Sequence, residues 1–258
     1  MIPKNLFFTH EDKHCLLPHV VDEWKHHNPD FTLRFYNKHE RRKFIQKHYP
    51  DIFTYYILVR DDYGAMKADI WRYLVVYHYG GVYIDHKIRI TRPIADFVDF
   101  NQDMCVTYKG KHRSIYTKAK ALIHPEELVQ YFFAAQKHSA SLKKVIDLMR
   151  VRLHQQQSVV PKPLGYSMYP GTGNSGIYAV FHTTGPLMFT HALQYSMGDI
   201  HVSNHEFDGG IQYPSLHMCI CMQGSCLQYL LKNMSGSSYH FCNKTLLICS
   251  TSHEVSIV

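Results

Sequence analysis

The first fifty residues alternate between two apolar periodicities. Ile2 to Phe8 is a short apolar run that predicts a strand, and Thr9-His10-Glu11-Asp12 after it has the pattern of a helix cap with an acidic residue three positions on. The helix expected there carries Leu16, Val20 and Trp24 at four-residue spacing and ends near Asn28-Pro29. Phe31 to Tyr36 predicts a second strand, and Asn37 with Glu40 predicts a capped, basic helix reaching Tyr49-Pro50. Strand, helix, strand, helix implies an α/β protein with a parallel sheet.

From Met66 to Tyr79 the apolar positions Met66, Ile70, Tyr73, Leu74 and Tyr77 follow helical spacing, and Gly80-Gly81 supplies a left-handed stop. Val82 to Ile90 then reads as a strand. Asp103 to Tyr108 and Leu128 to Ala135 are further strands, and Ser141 starts a helix whose buried face is Leu142, Val145, Ile146 and Met149. Gly165 to Gly176 reads as a long loop, a candidate lid over a site. Thr184-Gly185-Pro186 is a turn, with Pro186 suited to the first position of a helix running through Ala192.

Composition narrows the class. The chain has 258 residues, 45% apolar and 14% aromatic, enough to bury a full core in one domain. No basic segment followed by an apolar one opens the chain, and no apolar run is long enough to span a bilayer, so neither a signal peptide nor a membrane span is expected. The net charge of +7 suits a basic cleft for an anionic ligand, a plain basic surface, or nucleic acid, but no RNA- or DNA-binding module accompanies it. Among seven Cys only Cys219, Cys221 and Cys226 cluster, without the spacing of a zinc site, which reads as reduced thiols. Asn233 and Asn243 match a glycan-acceptor pattern too short to weigh in a cytosolic chain.

Asp69 and Arg72 stand three apart on the Met66–Tyr79 helix, beside its apolar stripe. Such a pair is either a self-satisfied salt bridge or a carboxylate and a guanidinium fork that hold hydroxyls of a polar ligand. Asp85 and Lys87, two apart on the expected strand, would point to one side. Asp85 is either an ordinary strand-end residue or a ligand contact at the carboxyl edge of the sheet, where ligands of open α/β sheets collect.

Together, Ala68-Asp69-Ile70-Trp71-Arg72-Tyr73 and Gly80-Gly81-Val82-Tyr83-Ile84-Asp85 resemble the core of the DXD-containing sugar transferases of the family 32 type. That family includes yeast mannosyltransferases, and the large clostridial glucosylating toxins share the motif. Ile2-Pro3-Lys4, Tyr131-Phe132-Phe133-Ala134-Ala135 and Thr184-Gly185-Pro186 are weaker echoes, so the resemblance runs to about residue 190. It implies a GT-A fold (a Rossmann-like, mostly parallel sheet flanked by helices) in a single domain of residues 1–258 with a C-terminal elaboration. Residues 1–110 would bind the nucleotide-sugar, UDP- or GDP-linked, and residues 111–258 the acceptor, a carbohydrate or glycoconjugate, with transfer of a hexose or pentose and retention of configuration. Asp69 and Arg72 would contact the donor sugar; Asp85 would contact ribose, sugar or metal shell. The strand containing Phe7, Phe8 and Thr9 would border the nucleoside pocket, with Gly81 also in the donor site. No nucleic acid partner is implied, and a bacterial or viral-host cytosol is the expected location.

The chain departs from the motif at Asp85-His86-Lys87, where lysine replaces the second carboxylate. Catalysis requires positive charge at the departing diphosphate, normally from a divalent ion. Either Lys87 supplies part of it beside Arg72, or Asp85 still holds manganese or magnesium with help from His86, a C-terminal residue such as His240, or the diphosphate. The alternative to a transferase is a catalytically degenerate sugar-nucleotide-binding or scaffold protein on the same fold.

Overall fold

The computed structural model describes residues 1–13, 16–61, 63–109, 127–159, 177–194, 200–212, 248–250 and 253–255. The expected lid at 165–176, the cysteine trio, Asn233, Asn243 and His240 lie outside the described residues.

A six-stranded sheet in the order β2-β1-β3-β6-β5-β7 organises the chain. Its strands are β1 (Asn5–Thr9), β2 (Thr32–Tyr36), β3 (Gly81–Ile84), β5 (Met104–Thr107), β6 (Phe132–Ala135) and β7 (His201–Ser203). β1 pairs in parallel with β2 and β3, and β5 with β7, while β6 runs antiparallel to both β3 and β5. The sheet is thus mostly parallel, with one reversed strand that the early strand–helix alternation does not announce. Because β6 reverses, β5 and β7 point the same way as β3, and all three end at one edge.

Both faces of the sheet are covered, and the side-chain period of two sorts each strand between them. Phe7, Tyr83, Phe133 and Val106 face one core, packed by α2 (Lys38–His48), α3 (Pro50–Tyr56), α4 (Gly64–Tyr79), α5 (Ala140–Val159), α6 (Ile177–Thr183) and α7 (Pro186–Leu193). Leu6, Phe8, Val82, Ile84 and Phe132 face the other, beneath α1 (Pro18–His27). Trp24 of α1 is fully buried there and donates its indole N–H to Ile88 O at 2.8 Å. Each large apolar side chain buried in this way contributes roughly 1.5–3 kcal/mol.

Local signals fix most boundaries. The Asn37 side chain accepts from His39 N and Glu40 N at 2.9 and 3.0 Å, and Glu40 returns a bond to Asn37 N at 2.8 Å, completing the expected capping box of α2. Pro186 opens α7 and Pro50 opens α3, an additional short helix. For α5 the cap is Ser139 rather than Ser141: its hydroxyl accepts from Leu142 N at 3.1 Å, while Asp103 accepts from Ser141 N at 3.0 Å.

Other sequence expectations fail at the ends of elements. Thr9 does not cap a helix; it ends β1, donates to Tyr36 O at 2.5 Å and accepts from Arg41 Nη1 at 2.9 Å, and α1 begins only at Pro18. The strand expected over Val82–Ile90 stops at Ile84, because Ile88 N bonds Asp85 O at 2.9 Å and closes a turn. The chain resumes as β4 (Arg89–Ile90), paired antiparallel with β8 (Ile211–Gln212) outside the main sheet. A further antiparallel pair joins β9 (Ile248–Ser250) and β10 (His253–Val255).

The α4–β3 junction is tight. Gly80 has φ 70° and ψ 153°, a positive-φ extended exit rather than a left-handed helical cap, and Gly81 has φ 136°. A Cβ on Gly80 would meet Lys137 N and Pro3 Cδ at 2.6 Å, and one on Gly81 would meet Asn5 O at 2.6 Å. Glycine therefore lets α4 turn directly into β3, which holds the helix against the strand that leads to Asp85.

Candidate donor site

Helix α4 is buried along most of its length, and apolar residues surround its two central charges. An isolated ion there would cost several kcal/mol, so each charge must find partners. Arg72 finds four. Its Nη2 lies 3.1 Å from Asp69 Oδ1 and 3.3 Å from Asp85 Oδ1, its Nη1 donates to Gln130 O at 3.1 Å, and its guanidinium sits 4.5 Å over the Tyr83 ring. Nε of Arg72 is buried without a hydrogen-bond partner.

The carboxylates are tied down in turn. Thr184 donates to Asp69 Oδ2 at 3.1 Å, and Tyr83 donates to Asp85 Oδ1 at 2.6 Å. The Tyr73 hydroxyl lies between Thr184 O, at 2.8 Å, and the side-chain oxygen of Gln130. Asp69 is buried at 2% exposure, whereas the Asp85 side chain retains 22% and opens toward solvent. Burial pushes the Asp69 carboxyl up to about 7, against the pull of Arg72. For Arg72 burial acts against the charge, but Tyr83, Asp85 and Asp69 together raise its pKa above the usual guanidinium value, so it is the fixed cation of the group.

The Asp69–Arg72 pair is thus an intrahelical salt bridge, and through Arg72 it also reaches Asp85 at the carboxyl edge of β3. Gln130, Thr184, Tyr73 and Tyr83 complete the group, and spacing alone assigned none of them a role. Thr184 stood in a recognised turn motif, but nothing local ties that turn to residue 69.

The remaining candidates are distributed differently. Asp85, His86 and Lys87 lie in the turn after β3, so Asp85 and Lys87 do not share a strand face. The His86 ring packs edge-on against His10 with centroids 4.6 Å apart, and burial, then His10, pulls its pKa down to about 3, leaving a neutral imidazole. Thr9 ends β1 at the same edge as Asp85, since β1 and β3 run parallel. Phe7 and Phe8 are core residues on opposite faces, and only their backbone can border a pocket. Gly81 is at the amino end of β3, a strand length away from Asp85, where its role is the close approach to Asn5.

Against a divalent cation the donor set is sparse. Asp85 Oδ1 is committed to Tyr83 and Arg72, and Lys87 occupies the place of the second motif acid. Among the described residues no group of three or more His, Cys, Asp or Glu could hold a metal ion. The described side chains do not form a protein-held metal site.

Residues 17–107 match the family described as "Glycosyltransferase sugar-binding region containing DXD motif", a span that contains Asp69, Arg72 and Asp85. In structure the chain is similar to "PaToxG Glycosyltransferase", with a TM-score of 0.52 and 17% identity over 76% of this chain and 70% of that one. Weaker likenesses are "the UDP-bound glycosyltransferase domain from the YGT toxin" (TM-score 0.38, 10% identity, 66% and 52% covered) and "a glycosyltransferase involved in the glycosylation of the major capsid of PBCV-1" (TM-score 0.35, 10% identity, 78% and 81% covered). No curated protein matches the chain in sequence. The fold is that of the GT-A glycosyltransferases, and the matched segment makes the chain glycosyltransferase-like. Among the described residues no helix is long and apolar enough to cross a membrane.

Proposed function

We propose that this chain transfers a sugar from a UDP- or GDP-linked donor to a hydroxyl of a carbohydrate or glycoconjugate acceptor, with retention of configuration. The observation that carries the reading is Arg72, held between Asp69 and Asp85 at the carboxyl edge of β3 and within the DXD-type segment. Residues 1–110 would bind the donor and the remainder the acceptor.

In this reading Asp85, whose side chain is partly exposed, receives donor hydroxyls on Oδ2 while Tyr83 and Arg72 hold Oδ1 in place. Arg72 cannot release its proton at any working pH, and its position is set by four partners, so it costs little reorganisation when charge develops nearby. The departing diphosphate gains negative charge in the transition state; Lys87, in the turn beside Asp85, and the Arg72 guanidinium supply positive charge on that side. Manganese or magnesium would enter bound to the diphosphate, since the described residues offer it so few oxygens. His86 stays neutral and contributes no charge of its own.

The test is turnover of a panel of UDP- and GDP-hexoses and pentoses, each with chelator and with added manganese. Turnover with at least one donor is expected, and silence with all would leave only sugar-nucleotide binding. Residual turnover in chelator is expected from the lysine substitution; complete dependence on the ion would remove Lys87 from the charge-stabilising role. Asp85→Asn should lower turnover roughly a hundredfold while changing stability by only about 1 kcal/mol, because Asp85 is partly solvated.

A further inference from the structure

The carboxyl edge of the sheet carries a second charged group, outside the matched segment. After β7 the chain enters a turn in which Glu206, Phe207 and Asp208 have φ of 49°, 54° and 53°, followed by Gly209 at 78°. Left-handed residues occur singly in most chains because a Cβ crowds the carbonyl there, and glycine and asparagine are the usual occupants. Three consecutive residues with full side chains persist only where their surroundings over-determine them.

They do so here. Glu206 N donates to Tyr108 O at 2.9 Å, Phe207 N donates to Thr107 Oγ1 at 3.0 Å, Arg92 Nη2 donates to Phe207 O at 3.1 Å, and Thr91 Oγ1 donates to Gly209 O at 2.7 Å. The Phe207 ring is buried against Phe97 and Phe132. Packing of Phe207 explains where the turn is anchored. It does not explain a glutamate at 206, which is partly exposed and gains nothing from a positive φ that glycine would adopt freely. What glutamate adds is its carboxylate, whose Oε1 accepts from the Tyr131 hydroxyl at 3.1 Å. Tyr131 O in turn accepts from Asp85 N at 2.9 Å, so one residue links Glu206 to the first motif acid. Since β7 runs in the direction of β3, Glu206 and Asp85 emerge at the same edge of the sheet, where ligands of such folds bind.

We propose that Glu206 is an acceptor-binding residue, its carboxylate taking a hydrogen bond from a hydroxyl of the sugar that receives the transferred group. The proposal rests on the transferase reading. An ionised carboxylate only accepts hydrogen bonds, which suits a hydroxyl-bearing ligand. With one oxygen oriented by Tyr131 and the backbone locked in a strained turn, the group is held in place before the acceptor arrives. The proposed donor contacts Asp69, Arg72 and Asp85 come from α4 and the end of β3, whereas Glu206 reaches the same edge of the sheet from β7, three strands away from β3.

The experiment uses the full chain, the UDP- or GDP-sugar that the unmutated protein turns over, and a panel of methyl glycosides as acceptors. Glu206→Gly relieves the backbone, so its thermal midpoint should equal or exceed that of the unmutated chain, while transfer to the best methyl glycoside should fall roughly thirtyfold or more. Glu206→Gln should lower transfer roughly tenfold, mainly as a higher KM for the acceptor, with calorimetric affinity for UDP or GDP within about twofold. Transfer by Glu206→Gly close to that of the unmutated chain would overturn the proposal and make the turn a scaffold for Phe207. A parallel loss of UDP or GDP affinity in Glu206→Gln would overturn it too, by moving Glu206 to the donor. An unmutated chain that transfers from no donor defeats the transferase reading and this inference together, and it does so before any variant is made.

Discussion

Helices α2 and α4 put charge to opposite uses. In its eleven residues α2 has six charged side chains, Lys38, Glu40, Arg41, Arg42, Lys43 and Lys47, and buries only Arg41, which binds Thr9 and Glu11. Longer and poorer in charge, α4 carries Lys67, Asp69 and Arg72 and buries the last two. Apart from Arg41, the charges on α2 face water and cost little to keep. One on α4 survives only because Thr184, Gln130, Tyr83 and Asp85 come from distant parts of the chain to meet it. Where an ion is buried at such cost, its position is constrained to fractions of an ångström, which a donor site requires and a solvated helix face cannot supply.

The sharpest way to break this contrast is Arg72→Ala. It leaves Asp69 buried without its cation, and a stability loss of roughly 3–5 kcal/mol is expected in denaturant unfolding, with turnover down roughly a hundredfold or more. A variant as stable as the unmutated chain would mean that α4's charges are no more committed than those of α2.

A subtler difference is visible in pH dependence. Burial pushes the folded Asp69 carboxyl up to about 7 from the ordinary 3.8, so between those values the folded state holds a proton that the unfolded chain has lost. Stability from this group is therefore fullest below pH ~4 and falls as pH rises toward ~7. Buried histidines such as His86, whose pKa is lowered from 6.5, act in the opposite sense, adding stability as pH rises through the same window. Urea titrations from acid to neutral pH should thus show a steeper fall, or a smaller rise, in the unmutated chain than in Asp69→Asn. Parallel profiles would place the Asp69 proton elsewhere.

On α2 smaller effects are expected. Asn37→Ala removes the capping box and should cost about 1 kcal/mol in thermal or denaturant unfolding, with donor turnover unchanged. Lys43→Ala, on the solvated face, should stay within about 0.5 kcal/mol and leave turnover untouched. A large loss of turnover from Lys43→Ala would bring α2 into the site and dissolve the contrast.

Much of the donor side was legible in the chain because its signals are local. The Asn37–Glu40 box, the apolar stripe of α4 and the Asp69–Arg72 spacing each depend on residues within a few positions of one another, and the structure contains the capping box, the helix and the ion pair; Gly80-Gly81 ends α4 where expected, but in an extended and not a left-handed helical conformation. Local reading failed where a distant partner overrode it. Thr9-His10-Glu11-Asp12 has the composition of a cap, but pairing of β1 with β2 and β3 draws Thr9 into the sheet. Val82 to Ile90 has the composition of one strand, yet the bond from Ile88 N to Asp85 O and the Trp24 indole on Ile88 O bend it after Ile84.

The sequence by itself determined that α1, α2, α4, α5 and α7 are helices, that β1, β2 and β3 alternate with the first of them, and which three charged residues a sugar-nucleotide site is proposed around. Only the tertiary structure decided that β6 enters the sheet reversed, that Gln130 meets Arg72 and Thr184 meets Asp69, that Phe7 and Phe8 belong to two cores, and that Glu206 stands at the same edge as Asp85. The physical reason is one of range. Capping, helical periodicity and glycine exits act within about four residues along the chain. Burial of a charge is satisfied by whichever partners the folded sheet brings near, and here those lie 58 and 115 residues away in sequence.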